Sequence, residues 1–133
     1  MTGIIEQHVD GIVQEHNERP AAVWSSGGND YDEISRGISD AIEHCVLRLN
    51  PKPGERILDL STGTGWTSRV VARRGASVVG VDIASGLLQA ARQNARAEGL
   101  AIEYRVGDAE AAVFRRGVRC GRFDIRHHVR EPC

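Results

Sequence analysis

The stretch RILDLSTGTGW, Arg56 to Trp66, decides how the rest of this chain is read. An apolar run of strand length ends in an aspartate and then breaks into serine, threonine and glycine. Apolar on both faces, such a run suits a strand buried inside a parallel sheet. Gly63 and Gly65 lack a Cβ, so the chain can turn tightly and a ligand can approach the backbone. A helix opening at GWTSRVVARR aims its unpaired N–H groups at the same place.

The pattern repeats downstream. SVVGVD, 77–82, reads as a second strand and IEYRV, 102–106, as a third. The helix GWTSRVVARR between the first two strands closes at Gly75, and between the second and third Ser85 caps GLLQAARQNARAE, which closes at Gly99. Strand, helix, strand, helix, strand with short connections requires a parallel sheet with right-handed crossovers. The expected fold class is α/β: a Rossmann-like parallel sheet with flanking helices and an N-terminal helical cap. The cap is 1–50. IIEQHVDGIVQEHNE has helical spacing interrupted at Gly11, and RPAAVWSSGGND reads as a loop. Asp30 and Glu33 form an expected capping box. Beyond it Ile34, Ile38, Ala41, Ile42, Cys45, Val46 and Leu49 make one apolar stripe, stopped at Asn50–Pro51.

Three strand ends on one sheet edge carry the chemistry. The first supplies the glycine loop. The second ends in Asp82, whose carboxylate can accept from both hydroxyls of a ribose. The third runs into GDAE, where Asp108 can accept from an exocyclic amine and the Ala109 N–H can donate to a ring nitrogen. Together they describe a site for an adenosine-containing cofactor, placed where open parallel sheets bind ligands. A dinucleotide site of the GxGxxG type wants a third glycine where Ser68 stands. An NAD-binding oxidoreductase fragment is therefore the alternative enzyme reading, and a non-catalytic interaction module the alternative of another class.

Residues 55–111 resemble the N-terminal half of class I S-adenosylmethionine-dependent methyltransferases of the small-molecule type, and the preceding helices resemble that family's cap. The resemblance implies that Ser61, Gly63 and Gly65 hold the methionine part and that Asp59 is the acidic residue of the loop motif. It implies a ribose contact for Asp82, adenine packing for Ile83 and adenine reading for Asp108 and Ala109. Ser61 departs from the family, which often has glycine there. Trp24 and Tyr31 lie where such enzymes close over the cofactor. The implied cofactor is S-adenosylmethionine and the implied partner a small-molecule methyl acceptor. Methyl transfer from a sulfonium asks the protein for alignment and exclusion of water, so no catalytic residue is singled out.

Bulk properties exclude several classes. No apolar run reaches the length needed to span a bilayer, and MTGIIEQHVDG lacks an export signal's basic start and apolar core. Three cysteines without a CxxC pair fit a reducing, cytoplasmic setting. Cys120, His127, His128 and Cys133 match no standard zinc spacing, so no metal is expected. Six of the chain's arginines fall in 111–133. No aromatic platform accompanies them, so nucleic acid is not the expected partner.

The tail AVFRRGVRCGRFDIRHHVREPC has neither a strand nor a helix period. Back-translated from Ala111 with chosen synonymous codons and read one nucleotide later, it yields LPFSDGAFDAVVSTFGIMFANP. The family places a segment of that kind here, including a buried strand. Residues 51–110 are thus expected to form a partial cofactor domain, truncated after about three strands, and 111–133 an out-of-frame or disordered tail. The first strand is then expected to be an exposed sheet edge, with weak or absent cofactor binding and no turnover.

Overall fold

The computed structural model describes residues 12–111 and the backbone of 119–121. In chain order it contains α1 (Glu15–Gly27), α2 (Tyr31–Gly37), α3 (Ser39–Leu49), β1 (Arg56–Leu60), α4 (Trp66–Ala72), β2 (Ser77–Asp82), α5 (Ser85–Ala97), β3 (Glu103–Val106) and β4 (Arg119–Gly121). The sheet order is β3-β2-β1-β4, and every pair is parallel. The crossovers β1-α4-β2 and β2-α5-β3 step in the same direction across the sheet. Crossovers of one hand then place α4 and α5 on the same face.

The register confirms that face. Ile57 pairs with Val78 and Gly80 with Tyr104. Side chains alternate along a strand, so these residues point to one side. There Ile57 and Val78 pack with Val46 of α3 and Val70 and Val71 of α4. Further along, Tyr104 packs with Leu88, Ala91 and Ala95 of α5. Gly80 is required at this point, because a Cβ there would run into the Tyr104 ring and the Thr62 methyl.

Four local expectations are corrected. RPAAVWSSGGND is not a loop: α1 runs through Pro20 as far as Gly27. Packing overrides the proline's lost hydrogen bond. Ser25 lies so close to Gly86 of α5 that a Cβ on Gly86 would collide with the Ser25 carbonyl. Asp30 forms no capping box, because its own backbone is helical and its side chain makes no cap hydrogen bond. The stripe from Ile34 to Leu49 is not one helix. It breaks at Ile38 (φ −115°, ψ 17°), leaving Ile34 exposed and only Val46 of the stripe fully buried. Ser85 does not cap α5; Ala84 occupies that position, and its N–H is satisfied by Asp82 Oδ1 at 2.9 Å.

A fifth correction concerns the sheet. β1 is not an edge, because residues Ile57, Leu58 and Asp59 pair with Arg119, Cys120 and Gly121. The first helical segment expected within 1–11, the residues His127, His128 and Cys133 and most of the tail 111–133 lie outside the described residues.

Candidate functional site

The cleft sits at the carboxyl ends of β1, β2 and β3. Strand order turns back between β1 and β4, the switch point where open α/β sheets bind ligands. The cleft encloses about 170 Å³. Leu60 and Ser61 line it from β1, Asp82 and Ile83 from β2, and Gly107, Asp108 and Ala109 from β3. The three tips are tied together by backbone. Thr62 N–H donates to Val81 C=O at 3.0 Å, and Gly107 N–H to Asp82 C=O at 3.0 Å.

The loop between β1 and α4 is forced into left-handed backbone three times, at Ser61 (φ 59°), Gly63 (φ 58°) and Gly65 (φ 81°). Gly63 and Gly65 meet this without a Cβ clash; Ser61 does not. Gly63 donates its N–H to Asp82 Oδ2 at 2.9 Å. Asp82 therefore clamps the loop with one oxygen and the start of α5 with the other. A carboxylate offers about four acceptor sites, so Asp82 keeps capacity for a hydroxyl beyond the N–H groups it already holds. Burial raises the Asp82 pKa, and the N–H groups of Ala84, Gly63 and Ile83 oppose that rise.

The two glycines face different neighbours. Gly63 lies under Tyr31, whose ring carbon would be 3.4 Å from a Cβ. Tyr31 in turn meets Trp24 edge-on, ring centroids 5.6 Å apart. Gly65 faces inward, where a Cβ would collide with the Tyr104 hydroxyl and crowd Ala91. Its bareness makes room for Tyr104, and neither glycine lines the cleft itself.

Asp59 lies beneath the loop, fully enclosed. Its Oδ2 accepts from Thr62 Oγ1 and from Ser68 Oγ, both at 2.7 Å. Burial pushes its pKa up to about 6, against the pull of these hydroxyls. Ser68, where a dinucleotide loop would have glycine, is thus part of the loop's underpinning. Tyr104 is buried alongside; burial first and the Asp59 charge second raise its pKa. Its hydroxyl finds no hydrogen-bond partner among the described residues.

At the far end of the cleft, Asp108 is held by three donors. Asn17 Nδ2 donates to Oδ2 at 2.8 Å, Gln14 N–H to the same oxygen at 3.0 Å, and Glu110 N–H to Oδ1 at 3.0 Å. The bond from Asn17, then that from Glu110, holds the Asp108 pKa below its ordinary value. His16 meets Glu110 at 2.7 Å beside them. Sequence reasoning missed this contact from the cap, since Asn17 and Asp108 are 91 residues apart and nothing local to Asn17 marks it.

A second contact from the cap was also missed. Arg69 is buried at 3% exposure, its Nη1 donating to Thr64 C=O at 2.7 Å and its Nη2 to Asp32 Oδ1 at 3.1 Å. Thr64 Oγ1 donates to the same Asp32 oxygen at 2.8 Å. Cap and glycine loop are therefore joined by a closed ring of charge-assisted bonds. Among the described residues there is no group of three or more His, Cys, Asp or Glu able to hold a metal. Nor is any described helix long and apolar enough to cross a membrane.

A family model described as "Methyltransferase domain" matches residues 57–129, more than half of the chain. A ubiquinone biosynthesis O-methyltransferase from Dinoroseobacter shibae is 44% identical over 82 residues, covering 62% of this chain and 33% of that protein. A demethylmenaquinone methyltransferase from Corynebacterium kroppenstedtii is 37% identical over 108 residues, covering 74% and 47%. Among solved structures, phosphoethanolamine N-methyltransferase 2 of Haemonchus contortus in complex with S-adenosyl-L-methionine superposes with a TM-score of 0.55 at 30% identity, over 60% of this chain and 20% of that one. A putative S-adenosyl-L-methionine-dependent methyltransferase from Methanococcus maripaludis shares the fold, with a TM-score of 0.56 at 22% identity, over 66% and 43%. The chain spans between a third and a half of these two curated relatives. With a parallel sheet, a glycine loop clamped by the second strand's aspartate and a family match across residues 57–129, the chain belongs to the methyltransferase-domain family.

Proposed function

We propose that this chain binds S-adenosylmethionine in the cleft and serves an enzyme that methylates a small-molecule acceptor. One observation carries the reading: Asp82 and Asp108 line a single cleft beside a glycine loop that Asp82 itself holds. The remaining acceptor capacity of Asp82 suits a ribose hydroxyl. Ile83 offers an apolar surface to the base. Asp108 and the Ala109 N–H present an acceptor and a donor to its edge. Ser61, which lines the cleft, is left for the amino-acid end, while Gly63 under Tyr31 shapes the loop and Asp59 and Gly65 support it from below. Bound there, the cofactor supplies a methyl group activated on sulfur; the chain's own residues orient it and keep water away.

The relatives named ubiquinone biosynthesis O-methyltransferase and demethylmenaquinone methyltransferase support a small molecule as the acceptor. Calorimetric titration of the chain with S-adenosylhomocysteine, extended to millimolar ligand, tests the site, with NAD as the comparison. Weak saturable binding of the former only is the expected result. Saturable binding of NAD alone, or of neither, overturns the reading.

A further inference from the structure

The base-reading corner contains a residue that the strand tips do not supply. Asn17, in the first turn of α1, lines the cleft together with Asp82, Asp108 and Ala109. Its carboxamide has a fixed orientation. Only an N–H can face the Asp108 carboxylate, so Nδ2 is the end at 2.8 Å and Oδ1 is the other. Among the described residues none donates to that Oδ1.

Counting acceptors shows why this matters. A carboxylate offers about four lone-pair sites. Asp108 spends two on Oδ2, for Asn17 and Gln14, and one on Oδ1, for Glu110. One site remains. An exocyclic amine on a purine brings two N–H groups, and pairing both with the protein sharpens discrimination. A second acceptor is at hand, because the carboxamide of Asn17 stands beside the first.

We infer that Asn17 is a specificity-determining residue for a 6-amino purine, fixing Asp108 as an acceptor and offering its own amide carbonyl as the second. This rests on the cofactor reading above. A 6-oxo purine would bring an oxygen to the same two oxygens and be rejected. The residue acts from the cap, so the base is read jointly by α1 and the β3 corner.

The test compares S-adenosylhomocysteine with its 6-oxo counterpart, S-inosylhomocysteine, on the full chain. Titrations are run for the native sequence, Asn17→Leu, which keeps the size and removes both polar ends, and Asn17→Ala. Circular dichroism melts accompany each. The expected result is that the native chain prefers the 6-amino ligand and that each folded variant loses roughly tenfold of that preference. A folded variant that keeps the full preference overturns the inference, even if its affinity for both ligands falls together. A native chain that binds neither ligand overturns the cofactor reading itself, so the two failures are distinguishable.

Discussion

Ser61 holds the left-handed backbone (φ 59°) that glycine adopts freely. The conformation is imposed from both sides, because Thr62 N–H is fixed on Val81 and Gly63 N–H on Asp82. A side chain in this region costs about 1 kcal/mol. Ser61→Gly is therefore expected to raise the melting temperature by a few degrees, partly offset by the greater freedom of glycine when unfolded. Thermal melts of the two chains check it. Asp59 makes the opposite kind of statement. Its folded pKa of about 6 lies above the ordinary 3.8, so the native state keeps its proton to higher pH than the unfolded chain. The contribution is most favourable below the unfolded value. It declines as pH rises through about 6, for a loss on the order of 3 kcal/mol. Asp82 shifts in the same direction and Asp108 in the other. Asp59→Asn should flatten the decline in stability between about pH 4 and pH 6. Urea unfolding across that range measures it, and an unchanged slope would mean that Asp59 is not the group responsible.

Among the elements, β1, β2 and β3 were readable to within a residue. Continuous apolar runs between turn residues have few alternatives, and Gly75 and Gly99 close their turns with φ of 90° and 68°. The cap was misread because its structure is decided by contact. α1 survives Pro20 through its seat on Gly86, and the break at Ile38 has no period to announce it. The same division holds at the site. Asp82, Ile83, Asp108 and Ala109 stand at strand ends and follow from the strands. Asn17 and Asp32 reach the site across tens of residues, so no local pattern could reveal them. Gly65 lies between the two cases, legible as a glycine requirement but not in its cause. That cause is testable. Gly65→Ala adds strain at φ 81° and drives a methyl into the Tyr104 hydroxyl, for a cost of about 3 kcal/mol. Tyr104→Phe removes an unpaired buried hydroxyl and should by itself stabilise by about 1 kcal/mol. In the double variant the alanine should cost less than in the native background. A denaturant-based double-mutant cycle reads the coupling, and strict additivity would show that Gly65 is not there for Tyr104.

For the molecule as a whole, the question is what completes the sheet beside β1. Ile57 and Leu58 are buried, and their neighbour in the sheet is a three-residue strand, Arg119–Gly121. Arg-Cys-Gly is a poor composition for a strand flanking such residues, since arginine resists burial and glycine weakens a strand. The family match nevertheless runs on to residue 129. We propose that the gene is read out of frame from about Ala111. In the adjacent-frame string the codons of 118–122 would spell FDAVV, an apolar, β-branched run that falls on the position of β4. The fold puts a parallel strand there, and codons can be chosen so that the shifted frame supplies a sequence suited to it. The nucleotide sequence decides the first part, because codons that do not give that string in the next frame end the proposal. A gene corrected by one nucleotide tests the second. Burying the apolar residues of FDAVV against β1 is worth several kcal/mol at about 25 cal/mol per Å². The corrected chain is therefore expected to melt at least about 5 °C higher than this one. It should also bind S-adenosylhomocysteine more tightly, because β1 carries the glycine loop and a firmer β1 holds that loop in place. Equal melting temperatures and equal affinities would mean that Arg119–Gly121 already completes the sheet.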